Sequence, residues 1–172
     1  EDWDKSVDGI ACKYLLRDKT GLRTYFNEDG VIVLQKDAHD NKITYTYTDG
    51  IYFSKITDSV GREIAFHYNN DDGEKTLSSV TVQGKAAGGG VSKKTISYET
   101  EEKSYTPHHG DRLHGVILTS ATVDGSKEKY SYKTVERLVN TSGAGVASQR
   151  VSTNQSYLLN KITADGNETH YE

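Results

Sequence analysis

Methionine is absent from the 172 residues, and proline, cysteine and tryptophan occur once each, as Pro107, Cys12 and Trp3. A single cysteine excludes an internal disulfide and a thiolate metal cluster. Cys12 reads as a small buried hydrophobe, with no obvious electropositive cluster around it to lower its thiol pKa. No apolar run approaches the roughly 18 residues of a membrane-spanning helix. The net charge is −4 with the two signs interspersed, and no basic stripe marks a nucleic-acid partner. Hydrophobic residues make up 34% and phenylalanine is scarce, so apolar area must come from twelve tyrosines with Val, Ile and Leu. Tyrosine suits half-exposed sheets better than a thick oily core. With one proline, turns fall to sixteen glycines and their Asp and Asn neighbours.

What is present is alternation. Ile43-Thr-Tyr-Thr-Tyr-Thr48 places Ile43, Tyr45 and Tyr47 on one face, and Ile64-Ala-Phe-His-Tyr68 does the same with Ile64, Phe66 and Tyr68. Ile96-Ser-Tyr98 and Tyr130-Ser-Tyr132 are shorter versions. Period-two runs rich in Thr, Tyr, Val and Ile are strands. Between them stand Glu28-Asp-Gly30, Asp49-Gly50, Asp72-Gly73, Asp124-Gly125 and Asp165-Gly166, the chemistry of tight hairpin turns. No sustained 3.6-residue period occurs. The fold class is all-β.

A phrase recurs: an apolar residue, a polar link, Thr, then a turn ending in Gly. It reads Phe53-Ser-Lys-Ile-Thr-Asp-Ser-Val-Gly61, Leu77-Ser-Ser-Val-Thr-Val-Gln-Gly84, Leu118-Thr-Ser-Ala-Thr-Val-Asp-Gly125 and Leu159-Asn-Lys-Ile-Thr-Ala-Asp-Gly166. Leu77, Leu118 and Leu159 are each displaced by 41 residues. A fixed displacement implies stacked supersecondary units. Asp40 to Tyr47 matches Gly61 to Tyr68 at a displacement of 21, so the compact unit is one hairpin and the longer spacing holds an extended one. The expectation is one β-repeat domain over 1–172, with 1–20 as a capping segment, 21–172 as repeats, and insertions near 85–112 and 133–156. Gly9 to Leu16 reads as the capping strand, since terminal repeats must shield an open end. The chain starts at Glu1 and stops partway through a unit, which reads as a piece of something longer, so a missing targeting signal carries no weight. The expected inner face carries Ile43, Tyr45, Tyr47, Ile56, Ile64, Phe66, Tyr68, Leu77, Val80, Leu118, Tyr130, Tyr132 and Ile162.

The frame Gly61-Arg62-x-x-x-Phe66-x-Tyr68-Asn69, then Gly73 and Leu77-x-x-Val80-Thr81, resembles the Rhs or YD-repeat family, whose pattern is G-x-x-x-x-Y-x-Y-D-x-x-G-R-L-x-x-I. Gly21-Leu-Arg-Thr-Tyr-Phe-Asn-Glu-Asp-Gly30 is similar to the family's lead-in. The likeness covers about residues 21 to 84, and 113 to 172 more loosely. Asn69 and Lys133 stand where the family carries Asp, and Glu74-Lys75 replaces its Arg-Leu. The resemblance implies strips of β-hairpins that wind into a shell or stalk around a distant effector or toxin segment. It also implies a bacterial protein, secreted or held at the cell surface or cell wall. Its partners would be the remainder of its own polypeptide. No residue matches the family's self-cleaving aspartates, so no catalytic residue is carried over.

Candidate chemistry is sparse. His108, His109, Asp111 and His114 form the densest polar cluster and could offer zinc ligands, but their spacing matches no strong signature and a polar turn at Pro107 explains them. Asn69-Asn-Asp-Asp-Gly73 offers oxygens for calcium, yet lacks EF-hand spacing and reads as a hairpin turn. No nucleophile-elbow motif or carboxylate pair in a pKa-raising context is visible. No cofactor is expected, and the chain reads as a non-enzyme. Trp3, Tyr45, Tyr47, Tyr130 and Tyr132 could stack on sugar rings, which makes a glycan-binding adhesive module the rival reading. The alternative for those tyrosines is packing within the sheet, by cross-strand aromatic pairs. A third reading, a small-ligand barrel, needs no internal repeat, and this chain has one.

Overall fold

A computed structural model describes residues 2–71, 74–86, 88–105, 113–141 and 149–171, with side chains described at 5–70, 74–86, 88–104, 114–135 and 157–171. Thirteen strands follow one another: β1 (Asp2–Val7), β2 (Ile10–Arg17), β3 (Arg23–Phe26), β4 (Ile32–Lys36), β5 (Lys42–Thr48), β6 (Tyr52–Asp58) and β7 (Glu63–Asp71). After them come β8 (Glu74–Lys85), β9 (Val91–Tyr105), β10 (Leu113–Val123), β11 (Ser126–Thr141), β12 (Gln149–Ala164) and β13 (Asn167–His170). No helix occurs among the described residues. The hydrogen-bonded order is β1 to β13 in sequence, an antiparallel meander of hairpins in one open sheet. The all-β strip expected from alternation is therefore what forms. Among the described residues no helix is long and apolar enough to cross a membrane.

Two kinds of turn build the hairpins. Asp8-Gly9, Asp49-Gly50, Asp124-Gly125 and Asp165-Gly166 all have both residues at positive φ, 48–53° for Asp and 78–85° for Gly. This is the twist-matched turn that Asp-Gly favours. The Glu28-Asp29-Gly30 turn departs from the expected class, because only Gly30 has positive φ. Asn27 is the residue that shapes it: its Oδ1 accepts the Asp29 N–H at 3.1 Å and the Val31 N–H at 2.8 Å. Asp18, Asp37 and Asp58 do the same, each carboxylate accepting the N–H groups two and four residues on at 2.8–3.0 Å. These are Asx loops, in which a side chain replaces a missing backbone partner. Asp72-Gly73 lies outside the described residues.

The fold divides into two compact units, Glu1–Asn69 with Leu77–Thr95, and Asn70–Thr76 with Ile96–Glu172. In the first, Cys12, Tyr25 and Leu34 are buried, with Val7, Ile10, Leu15 and Val33 packed around them. Strands β2 and β4 approach each other although β3 lies between them, so the sheet here is strongly coiled. Cys12 is thus the buried hydrophobe expected, while Tyr25 and Leu34 stand outside the expected inner face. None of the residues assigned to that face is fully buried: twelve are half-buried, and Ile43 is exposed. A single sheet layer leaves most side chains one wet edge, and the buried hydrophobic residues gather where the first strands coil.

In the second unit the strands lengthen. The β11·β12 ladder runs from Glu128↔Ala164 to Thr141↔Gln149, and β9·β10 from Ile96↔Val123 to Tyr105↔Leu113. In their described parts the segments near 85–112 and 133–156 hold the β8–β9 turn with β9, and the outer parts of β11 and β12. Tyr157 on β12 donates its hydroxyl to the Ser104 carbonyl on β9 at 3.2 Å. Three strand spacings of about 4.8 Å separate those positions on a flat sheet. A phenol spans that only if this unit is coiled as well.

Candidate functional surface

The repeated phrase has a structural meaning: its Phe53, Leu118 and Leu159 copies begin at a β-bulge, and β4 carries one as well. In β4 the partners of Tyr25 and Phe26 are Leu34 and Ile32, so Val33 is extra. In β6 Ser54 is skipped between Lys55 and Phe53, in β10 Thr119 between Ser120 and Leu118, and in β12 Asn160 between Lys161 and Leu159. A bulge turns one carbonyl out of the ladder. Tyrosine restores its partner. Tyr47 donates to Ile32 O at 2.8 Å, Tyr68 to Phe53 O at 2.9 Å, and Tyr132 to Leu118 O at 2.7 Å.

The offsets are the same each time. The neighbouring ladder's last described pair is Leu34↔Thr44, Lys55↔Ala65 or Ser120↔Lys129, and the phenol comes from three residues beyond. The accepting carbonyl lies two residues back along the bulged strand. The skipped residue adds a bond of its own: Thr119 Oγ1 donates to Glu99 O at 3.0 Å. Ser78, at the matching place in the Leu77 phrase, donates to His67 O at 3.0 Å.

Tyr45 and Tyr47 on β5 are half-buried and lean on Phe53, with ring centroids 6.2 and 4.8 Å away; Phe66 continues the row at 5.7 Å from Phe53. Tyr45 gives its hydroxyl to Gln35 Oε1 at 2.7 Å. Burial pushes the phenol pKa of Tyr45, Tyr47 and Tyr132 up. Tyr130 donates to Glu128 at 2.8 Å, and that bond, with burial, raises its pKa to about 12. Tyr45, Tyr47 and Tyr132 therefore spend their hydroxyls on half-buried partners within the sheet, and Tyr130 gives its own to an exposed carboxylate. Trp3 lies on β1, and its side chain is outside the described residues.

Two shallow recesses flank the Asp58–Arg62 loop of the first unit. One, of about 320 Å³, is lined by Gln35, Asp37, Lys42, Ile43, Val60 and Arg62 among others. The second, of about 290 Å³, lies against Ile43, Ile56, Ile64 and Val82. Arg62 is held by Asp58 at 2.5 Å, so the shared rim is an ion pair rather than a free charge. Sequence reading missed this apolar strip because Ile43, Ile56 and Ile64 were assigned to the interior and Val82 to neither face.

His108, His109 and Asp111 lie outside the described residues; His114 sits exposed on β10 opposite Ser104. No group of three or more metal-ligating side chains occurs among the described residues. Every described carboxylate with a shifted pKa is shifted down. Asp8 and Glu99 are lowered by bonds from lysine, Asp18 by the Thr20 hydroxyl, Asp37 by the Asn41 amide and Asp58 by the Arg62 N–H. A carboxylate so held shapes turns and pairs charges, and is a weak proton donor near neutrality. No protein-family model matches the chain, nor does any curated protein.

Proposed function

We propose that this chain is a non-catalytic structural repeat region of a large bacterial protein of the Rhs/YD type, secreted or held at the cell surface. It contributes to a β shell or stalk that displays or encapsulates an effector segment elsewhere in the same polypeptide. The observation that carries this reading is the tyrosine–bulge clamp, which recurs at three hairpins with constant offsets. A packing device that returns at three hairpins serves the scaffold, because a binding or catalytic site needs to be built only once. The sequence resemblance supplies the family, and the clamp supplies a physical reason for its paired aromatics.

The test is the full-length protein. Read from the parent gene and imaged as a particle, it should carry further hairpin repeats that enclose or support a protease-protected segment. A parent in which this region stands alone beside an unrelated catalytic domain overturns the proposal. The glycan-binding alternative requires accessible rings and free hydroxyls, and Tyr45, Tyr47, Tyr130 and Tyr132 offer neither in full. Saturable binding on a glycan array, abolished by Tyr→Ala changes without unfolding, would reinstate it.

A further inference from the structure

We infer that the β1–β2 hairpin is a charge-latched flap over the buried cluster of the first unit. Its tip is the Asp8-Gly9 turn, and the residues on either side, Val7 and Ile10, pack against Cys12, Tyr25 and Leu34. The Asp8 carboxylate is seated between two lysines far along the chain, Lys36 Nζ at 3.0 Å and Lys42 Nζ at 3.1 Å. Lys36 ends β4 and Lys42 begins β5, so the latch crosses β3 and ties the first hairpin to both sides of the β4–β5 turn.

The seat is asymmetric. Lys36 has only 13% of its side chain exposed, against 41% for Lys42. A lysine that nearly buried needs its counter-charge. Lifting the tip would strand it, and this coupling holds the flap shut. The apolar contact beneath is small, since three residues make up the buried hydrophobic cluster. With so little apolar area to hold it, the flap depends on the latch, and it opens when the charges are removed or screened. This inference concerns one hairpin of the first unit and is independent of what the parent protein carries.

Cys12, the only thiol in the chain, lies on the flap at 3% exposure and reports its opening. The experiment measures the rate at which iodoacetamide alkylates Cys12 in the intact chain. Asp8→Asn keeps the turn, because Asn tolerates the left-handed φ of 53° found there, and removes only the charge. The expected result is labelling faster by about threefold or more, the scale of two partly exposed ion pairs. Raising the salt to about 1 M should speed labelling of the wild type while leaving Asp8→Asn unchanged, because screening acts only on charges still present. Equal labelling of wild type and variant overturns the latch. So does labelling that rises only in step with global unfolding, followed in parallel by urea titration. If Asp8→Asn does not fold, the wild-type salt series decides alone: salt-independent labelling sinks the proposal.

Discussion

Both units use the Asp-Gly turn, at Asp8-Gly9 and Asp49-Gly50 in the first and at Asp124-Gly125 and Asp165-Gly166 in the second, but among the described residues the capped Asx loop belongs to the first. From β2 to β5, and again between β6 and β7, the first unit uses four Asx loops, on Asp18, Asn27, Asp37 and Asp58. The β10–β11 and β12–β13 hairpins of the second unit turn on two residues, Asp124-Gly125 and Asp165-Gly166. Strand lengths follow: β3 and β4 have 4 and 5 residues, whereas β11 and β12 have 16 each. Short arms cannot fix register by ladder length, so the first unit adds side-chain caps and a small buried cluster. Long arms accumulate backbone bonds and need neither. Both units carry the tyrosine clamp, at Tyr47 and Tyr68 in the first and at Tyr132 in the second, so it does not depend on arm length.

The largest expected difference lies in the cores. Leu34 is fully buried, so Leu34→Ala should cost about 2–5 kcal/mol. Ile162 in the second unit is half-buried, and Ile162→Ala should cost roughly half as much. Urea unfolding measures both; equal costs would erase the contrast between a buried cluster and an open sheet. Next come the clamps. Tyr47→Phe and Tyr132→Phe each remove one hydroxyl and orphan one bulge carbonyl, at about 1 kcal/mol. The two should cost the same within about 0.5 kcal/mol. A large inequality would mean that the clamp matters in only one unit.

Acid should separate the units by mechanism. The Asx carboxylates Asp18, Asp37 and Asp58 have folded pKa values below their ordinary ones. Their stabilisation is therefore complete above the unfolded value of about 3.9 and fades as pH falls through the lowered folded values. In the second unit Glu99 and Glu168 are lowered chiefly by Lys127 and Lys161, with the same sign but through salt-screened ion pairs. Replacing the three Asx aspartates with Asn, which already caps one loop as Asn27, should flatten the first unit's acid limb while keeping its loops. At high salt the second unit's acid limb should shrink, while the first should lose only the part carried by Asp8 and its two lysines. Unfolding midpoints between pH 6 and pH 3 would reveal the opposite result if the caps carry no pH dependence.

The strands, the Asp-Gly turns and the repeat were legible because each rests on local pattern: alternation, left-handed φ and fixed displacement. The two families of turn were less so. An Asp or Asn three residues ahead of Gly was visible at Asp18, Asn27 and Asp58, but the adjacent Asp29-Gly30 pair drew attention from Asn27. A fifth copy of the phrase, Ile32 to Asp40, was hidden for two reasons: Leu34-Gln35-Lys36 fills its link, and Asp40 holds the left-handed position that Gly61 takes elsewhere. The core was the least legible part. Tyr25 and Leu34 lie in ordinary strand contexts, and only the coiling of β2 onto β4 buries them. Period two tells which residues share a face, but burial depends on whether that face is covered. The tyrosine clamp was visible as paired aromatics, but its acceptor, a backbone carbonyl freed by a bulge, leaves no mark in side-chain identity.

The smallest effect offers the sharpest test of the loop contrast. The β8–β9 turn repeats the Asx loop's backbone bonds, with Ala86 N–H donating to Gly90 O at 2.7 Å and Gly89 N–H to Ala86 O at 3.1 Å. Yet Ala86 stands where the capping Asp or Asn belongs, and Gly89 keeps the left-handed φ of 88° seen at Gly21, Gly30 and Gly61. Ala86→Asp should supply the missing acceptor for the Gly88 and Gly90 N–H groups. The gain should stay under about 1 kcal/mol, because Gly88, at a φ of 102°, must rotate to meet it. A raised urea midpoint at pH 7 that vanishes near pH 3 would show that the cap was transferred and that its charge does the holding. No gain would mean that the backbone alone sets these loops, and the distinction between the units would then rest on strand length.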